Sequence, residues 1–251
     1  MIMECKYCNK NKKLIKAHIL PRKFYINYEK EGYQAVKPDG SYEIFQCGFY
    51  NNNILCADCD GKILKLYDDE AYKLLLNIEN KKEKSTINDL SVYHYSFSEF
   101  DYNKIRKFFI ALLWKASITK SKFYNSIDLG PYEKTALDIL QDNNTHDNLF
   151  KIIVLKEPQP NDFTGVHFFQ NLKYNRQNLY AIYFNQYTAL IFPKYQHQNK
   201  LIFEPFEKIM LNENEFIICE TDGLIDKKLK YLSKFKNGIT KRTKMKVPSD
   251  K

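Results

Sequence analysis

The chain has 251 residues, of which 44% are hydrophobic and 15% aromatic, with only 8 glycines and 8 prolines. This composition excludes a disordered or fibrous protein and predicts one large packed domain or two small ones. The net charge is +9, and it is concentrated at the two ends: residues 1–30 carry +6, residues 226–251 carry +8, and the remainder carries −5. Basic ends of this kind favour a polyanionic partner such as nucleic acid over a small neutral ligand.

The sequence also bears on the compartment. No apolar run approaches the roughly 18 residues that a membrane-crossing helix needs. The first residues, MIMEC, lack the features of a secretory leader. We therefore expect a cytoplasmic protein with no membrane partner, and paired cysteines in that compartment favour a metal over a disulfide.

The N-terminal third predicts a compact unit. Residues 5–23 are typical of a cysteine knuckle followed by a short strand that ends near His18, because Pro21 removes a ladder donor. Residues 33–47 predict a hairpin around the turn sequence KPDG. A helix is predicted from Asp60, since apolar residues recur on one face through residue 75.

The middle of the chain predicts a loop and two helices. Residues 79–92 are polar and predict a connecting loop. A helix capped by Asp101 is predicted to follow, with an apolar stripe broadened by Trp114. The pair Gly130-Pro131 predicts the start of another helix, which extends to about Gln141.

After residue 150 the pattern changes to β-branched and aromatic runs. Strands are predicted over 151–157, 165–170, 179–184, 188–193 and 215–221, with a short hairpin at 185–187. The chain is therefore predicted to be α+β, with a metal-bearing module over residues 1–78. Residues 79–251 are predicted to be helical plus antiparallel β, serving recognition or partner binding.

Four cysteines carry the clearest chemical signal. Cys5 and Cys8 form one C-x-x-C pair, and Cys56 and Cys59 form a second. Two such pairs supply the four thiolates of a tetrahedral structural zinc site. Two further cysteines, Cys47 and Cys219, lie outside the pattern and are expected to be buried thiols, although Cys47 is close enough in sequence to be a fifth candidate.

Three stretches together resemble the zinc-stapled HNH endonucleases, which have a ββα-metal core. They are CKYC at 5–8, KAHILP at 16–21 and NILCADCD at 53–60. A later stretch, residues 100–118, is similar to the region that follows the nuclease core in bacterial and phage-defence members. The resemblance is specific over residues 5–75 and suggestive over 100–118.

The resemblance implies particular roles. His18 matches the general base that takes a proton from the attacking water. Asp60 stands where the family has a histidine ligand, and a carboxylate there suits catalytic Mg²⁺ or Mn²⁺. Asn53 matches the asparagine that holds the loop and orients the histidine, with Asn51 as the alternative. Ala17 departs from the pattern, because related enzymes often carry an aspartate ligand there.

Several readings stay open at this point. The resemblance implies DNA cleavage in bacterial defence and an ATPase as a partner protein. RNA such as tRNA is the alternative substrate for the same chemistry. A zinc module that binds nucleic acid or a partner without catalysis is the third reading, favoured by Ala17.

Further acids near the site, Asp58, Asp68 and Asp69, are reserve metal ligands or solvated surface charges. Basic residues of the first 23 positions are expected to contact phosphates. Three aromatic residues are expected either to stack on bases or to cover the knuckle: Tyr7, Phe24 and Tyr25.

Overall fold

The computed structural model describes most of the chain, and its elements are numbered in chain order. The described residues are 2–24, 33–36, 42–45, 48–87, 90–119, 121, 123–143, 148–156, 166–174, 177–194 and 208–220. They form three α-helices and thirteen strands, so the described part of the chain is α+β, as predicted.

Short strands build the N-terminal unit. Strand β1 (Ile2–Glu4) pairs antiparallel with β2 (Asn11–Lys13). Strand β3 (Ala17–His18) pairs antiparallel with β6 (Tyr50–Asn51), so the predicted strand ending at His18 is confirmed.

The predicted hairpin between these strands is also confirmed. Strands β4 (Tyr33–Val36) and β5 (Tyr42–Phe45) pair antiparallel. Its turn at 37–40 lies outside the described residues, as do Tyr25 and Cys47.

The three helices lie where the sequence predicts them. A π-helical turn (Cys59–Leu64) runs directly into α1 (Lys65–Leu75). Helix α2 (Tyr102–Ile118) is capped by Asp101, whose carboxylate accepts the Lys104 N–H at 3.1 Å. Helix α3 (Tyr132–Leu140) begins after Pro131. All three helices are confirmed, and none of the described helices is long and apolar enough to cross a membrane.

A nine-stranded sheet dominates the rest of the described chain. Its order is β5-β4-β10-β11-β12-β9-β13-β8-β7. The strands not yet given are β7 (Lys84–Ile87), β8 (Leu90–Ser96), β9 (Leu149–Lys156), β10 (Val166–Tyr174), β11 (Gln177–Phe184), β12 (Tyr187–Lys194) and β13 (Glu215–Glu220).

Two predictions about this sheet are wrong. The sheet is mixed and not purely antiparallel, because β13 runs parallel to β9 and β10 runs parallel to β4. Residues 79–92 are not a loop throughout, because they contain β7 and the start of β8. Strand β7 is a polar edge strand, mostly exposed, and edge strands of this kind lack the apolar alternation by which strands are recognised.

The sheet buries apolar side chains on both faces. One face packs on the helices in a cluster that extends from Cys5 to Ile218 and includes Trp114. The opposite face buries a second cluster that includes Val92 and Ile217. Because the first cluster joins the cysteine unit to the sheet, the site described next rests on a shared core. The predicted division at residue 78 stays a prediction.

Candidate metal centre and the His18 surface

The four predicted cysteines converge. The Sγ atoms of Cys5, Cys8, Cys56 and Cys59 all lie within 4.8 Å of one another, and all four are free thiols. A tetrahedron with Zn–S bonds of about 2.3 Å has S···S edges of about 3.8 Å, so a zinc ion fits this group with little adjustment. Burial, followed by the neighbouring thiols, raises the pKa of the Cys59 thiol. A bound zinc ion would compensate by stabilising the thiolate directly.

Backbone contacts bring the two cysteine pairs together. In the first knuckle the Cys5 carbonyl accepts the Asn9 N–H at 2.8 Å, and Asn9 adopts a left-handed φ of 54°. The Lys6 N–H donates to the Ile54 carbonyl at 2.9 Å, and the Cys56 N–H donates to Cys5 Sγ at 3.4 Å. The first knuckle therefore lies directly against the segment that enters the second.

His18 lies on the ribbon that these knuckles support. It is directly opposite Tyr50 in the β3–β6 pair, and the two rings meet edge to face with centroids 6.0 Å apart. His18 is half-buried, whereas the preceding Ala17 is fully buried, because successive strand residues face opposite sides. Position 17 is therefore a core position in this chain.

Asp60 lies in the π-helical turn that follows the last zinc-ligand candidate. It is half-buried, and burial raises its pKa, while the positive charges of Lys115 and His18 oppose that rise. His18 and Asp60 are thus close enough to interact electrostatically. The four-cysteine cluster joins the segment that carries His18 to the segment that carries Asp60.

Asp68 belongs to the same group of charges. It lies on α1, eight residues after Asp60, and burial raises its pKa to about 6. The positive charge of Lys115 opposes this rise, while the negative charge of Asp60 adds to it. Asp68, named from sequence only as a reserve ligand, therefore lies within electrostatic range of Asp60 and Lys115.

Lys115 was not recognised from sequence. It lies on α2, is only 1% exposed, and its Nζ donates to the His18 carbonyl at 2.9 Å. The only signal in the sequence is a single lysine inside the apolar stripe of a helix, which is compatible with a side chain that reaches the surface. Only the packing of α2 against β3 reveals the burial.

The asparagines of the 51–53 run occupy different environments. Asn51 is half-buried, and its amide nitrogen donates to both the backbone carbonyl (3.1 Å) and the hydroxyl (2.5 Å) of Thr119. Its side-chain oxygen accepts the Asn53 N–H at 2.8 Å, while Asn53 itself is exposed. The loop-holding contacts thus belong to Asn51, the alternative considered from sequence. The assignment of Asn53 as a catalytic residue stays a prediction.

The basic and aromatic residues around the site divide into two groups. Lys12 pairs with Asp58 at 2.8 Å, and Lys23 pairs with Asp69 at 2.5 Å, so part of the basic charge is already matched. Tyr7 and Phe24 are buried and cover the knuckle and the core, so neither can stack on a base. In contrast, Tyr50 is 38% exposed beside His18, with Lys16 Nζ 5.0 Å from its ring centroid.

The described residues supply one complete metal-ligand set. Among them, the four cysteines are the only group of three or more His, Cys, Asp or Glu side chains whose ligand atoms converge within 4.8 Å. His18, Asp60 and Asp68 do not meet that criterion. Comparison with family models, with curated proteins and with solved structures finds no match to this chain.

Proposed function

We propose that this protein is a metal-dependent endonuclease of the HNH type that hydrolyses phosphodiester bonds in DNA. The observation that carries the proposal is the position of His18. The four-cysteine cluster fastens its strand to the start of the helical segment that bears Asp60, and the charge of His18 acts on the Asp60 carboxyl. The arrangement has the parts of a ββα-metal site, namely a ribbon with a base and a helix with a metal ligand.

The residues around His18 can each take one part in the hydrolysis of a phosphodiester. His18 would accept the proton of the attacking water, a task suited to an imidazole at neutral pH. Asp60 would supply a carboxylate ligand to Mg²⁺ or Mn²⁺, which stabilises charge on the phosphate and leaving oxygen when bound. The remaining ligands would be waters and substrate phosphate, because Mg²⁺ usually keeps several waters and is bound through only one or two carboxylates. Zinc in the cysteine cluster would be structural, since four thiolates leave no open position.

DNA is the proposed substrate on the strength of the family resemblance and the basic N-terminal region. Residues 1–30 carry a net charge of +6, and Lys16 lies on the same surface as His18 and Tyr50. A cationic surface beside a base supplies affinity for the phosphate backbone without selecting a sequence. Total RNA is therefore assayed in parallel with plasmid DNA, and cleavage of RNA alone would change the substrate while keeping the chemistry.

The decisive test is His18→Ala in zinc-loaded protein, assayed on supercoiled plasmid with Mg²⁺ or Mn²⁺. The variant should lose at least about a hundredfold in rate, the typical contribution of a general base. His94→Ala is the matched control, because His94 lies on β8 with Glu215 as its partner. Undiminished cleavage by the His18 variant would refute the assignment of the base.

The metal ligands need a separate pair of variants. Asp60→Asn should raise the Mn²⁺ concentration needed for half-maximal cleavage, whereas Asp58→Asn should not. Both residues flank Cys59, but Asp58 is occupied by Lys12 and Lys62 at 2.8 Å each. Equal metal dependence in the two variants would contradict the assigned role of Asp60.

A second candidate is a zinc module that binds nucleic acid without cutting it. The burial of Ala17 favours it, because this position cannot present a carboxylate to a metal without a charge entering the core. This candidate predicts nucleic-acid binding that survives mild EDTA, with no cleavage product under Mg²⁺, Mn²⁺ or Zn²⁺. Any product that depends on His18 would exclude it.

A further inference from the structure

Two aromatic side chains are exposed in the part of the chain that the structure describes, Tyr50 and Phe97. Phe97 lies in the turn between β8 and α2. Tyr50 is directly opposite His18 in the β3–β6 pair, and the two ring centroids are 6.0 Å apart. Neither the zinc site nor the hydrolysis proposed above uses Tyr50. Its ring is nevertheless placed to touch a substrate group that reaches His18.

The residues on either side of Tyr50 hold it in a fixed orientation. Phe49 packs edge to face on Phe123 and Tyr124, with ring centroids 4.9 and 5.1 Å away. The amide nitrogen of Asn51 donates to two acceptors at the end of α2. Because successive strand residues face opposite sides, these contacts turn the Tyr50 ring outward. A ring fixed in this way loses little conformational freedom when a planar group stacks on it.

A cation lies over the Tyr50 ring. Lys16 is an exposed side chain, and its Nζ is 5.0 Å from the ring centroid. Exposed cation–π contacts are weak, and the stacking of a nucleobase on an aromatic ring is stronger. A base can therefore replace the ammonium over the ring, and the ammonium is then free to pair with a phosphate of the same strand. An aromatic surface beside a cation is the combination by which proteins bind single-stranded nucleic acid.

We propose that Tyr50 stacks on an unpaired base of the DNA substrate, next to the phosphate that reaches His18, and that the protein therefore selects single-stranded or locally unpaired DNA over an intact duplex. This inference rests on the proposed function and names the substrate class of the same site. In a duplex both faces of each base are covered by its neighbours, so an aromatic ring stacks only where the base is exposed. Lys16, in contrast, would contact phosphate, which both forms of DNA carry.

Three substitutions separate stacking from charge. Tyr50→Leu removes the aromatic face, Tyr50→Phe retains it, and Lys16→Gln removes only the charge. Binding of a labelled oligothymidylate and of a duplex of equal length is measured on zinc-loaded full-length protein without Mg²⁺ or Mn²⁺, so that no cleavage intervenes. Melting temperatures show whether each variant is folded.

The expected losses differ in kind. Tyr50→Leu should weaken binding of the single strand about 5- to 100-fold, the usual contribution of one stacked base, and should leave duplex binding and the salt dependence unchanged. Tyr50→Phe should bind the single strand nearly as wild type does. Lys16→Gln should weaken binding of both forms and lower the slope of the salt dependence by about 1, because one phosphate contact is lost.

A tryptophan at position 50 reports the stacking directly. The only native tryptophan, Trp114, is buried, so wild-type emission should not respond to DNA. In Tyr50→Trp the oligothymidylate should quench the added emission, whereas the duplex should not. Phe97→Trp is the matched control, because it adds a tryptophan at the other exposed aromatic position, and its emission should not change.

The outcomes distinguish this inference from the proposed function. Equal losses of single-strand and duplex binding in a folded Tyr50→Leu variant, or no loss of either, would overturn the inference and leave the nuclease assignment standing. Absence of quenching in Tyr50→Trp, or equal quenching in Phe97→Trp, would overturn it as well. A wild-type protein that binds single strands through Tyr50 but cuts no DNA would refute the proposed function, while the stacking contact would stand. A wild-type protein that binds no DNA would overturn both.

Discussion

The substitution Asp68→Asn tests the electrostatics of the site without any assumption about its chemistry. Burial raises the pKa of Asp68 to about 6, from an ordinary value of 3.8. The folded chain therefore holds this proton more tightly than the unfolded chain does. The contribution of Asp68 to stability is fully present below its ordinary pKa and is lost as the pH rises through about 6. Asparagine has nearly the same shape but cannot ionise, so the Asp68→Asn variant does not lose this stability as the pH rises.

The magnitude follows from linkage between the two pKa values. The asparagine variant should gain about 1.5 kcal/mol in unfolding free energy over wild type at about pH 5, rising to about 3 kcal/mol at about pH 7.5. Urea unfolding of zinc-loaded protein at several pH values, without added Mg²⁺ or Mn²⁺, measures this difference directly.

Asp58→Asn serves as the control for this series. Its carboxylate is exposed, and hydrogen bonds from Lys12 and Lys62 lower its pKa to about 2, so both folded and unfolded chains keep it ionised in the same pH range. The stability change caused by Asp58→Asn should therefore be the same at every pH tested. If Asp68→Asn also shows a difference that does not vary with pH, burial does not raise the pKa of Asp68 as described.

Three further predictions concern the zinc site and the contacts around it. Cys59→Ser should release about one zinc ion per chain, measured by atomic absorption, and lower the unfolding free energy by several kcal/mol. Asn51→Ala should lower the free energy of unfolding in urea by about 1–3 kcal/mol, because it removes two hydrogen bonds to the end of α2. Asn53→Ala should leave this free energy nearly unchanged. A larger loss for Asn53→Ala than for Asn51→Ala would contradict the described loop. Tyr7→Phe should lower the free energy of unfolding by about 1 kcal/mol, since the Tyr7 hydroxyl donates to the Leu140 carbonyl at 2.7 Å. An unchanged melting temperature would show that this hydrogen bond does not stabilise the fold.

Local patterns in the sequence predicted most elements of the fold. The cap at Asp101, the proline at 131 and the β-branched runs after residue 150 each determine geometry within a few residues, and each prediction was confirmed. The errors arose where an element depends on distant partners. Strand β7 is stabilised by its neighbour β8 and by position at the sheet edge, so its own composition does not identify it. The parallel pairing of β13 with β9 joins segments about sixty residues apart and leaves no local signal.

The spacing of the four cysteines was enough by itself to predict that they cluster, because each C-x-x-C turn supplies two thiolates and a tetrahedral zinc site needs four. The sequence also singled out His18 and Asp60. Only the tertiary structure decided what surrounds them. It gave the loop-holding contacts to Asn51 and brought Lys115 to the His18 carbonyl across 97 residues of chain. Burial and long-range charge depend on which elements pack together, and no short spacing in a sequence encodes that.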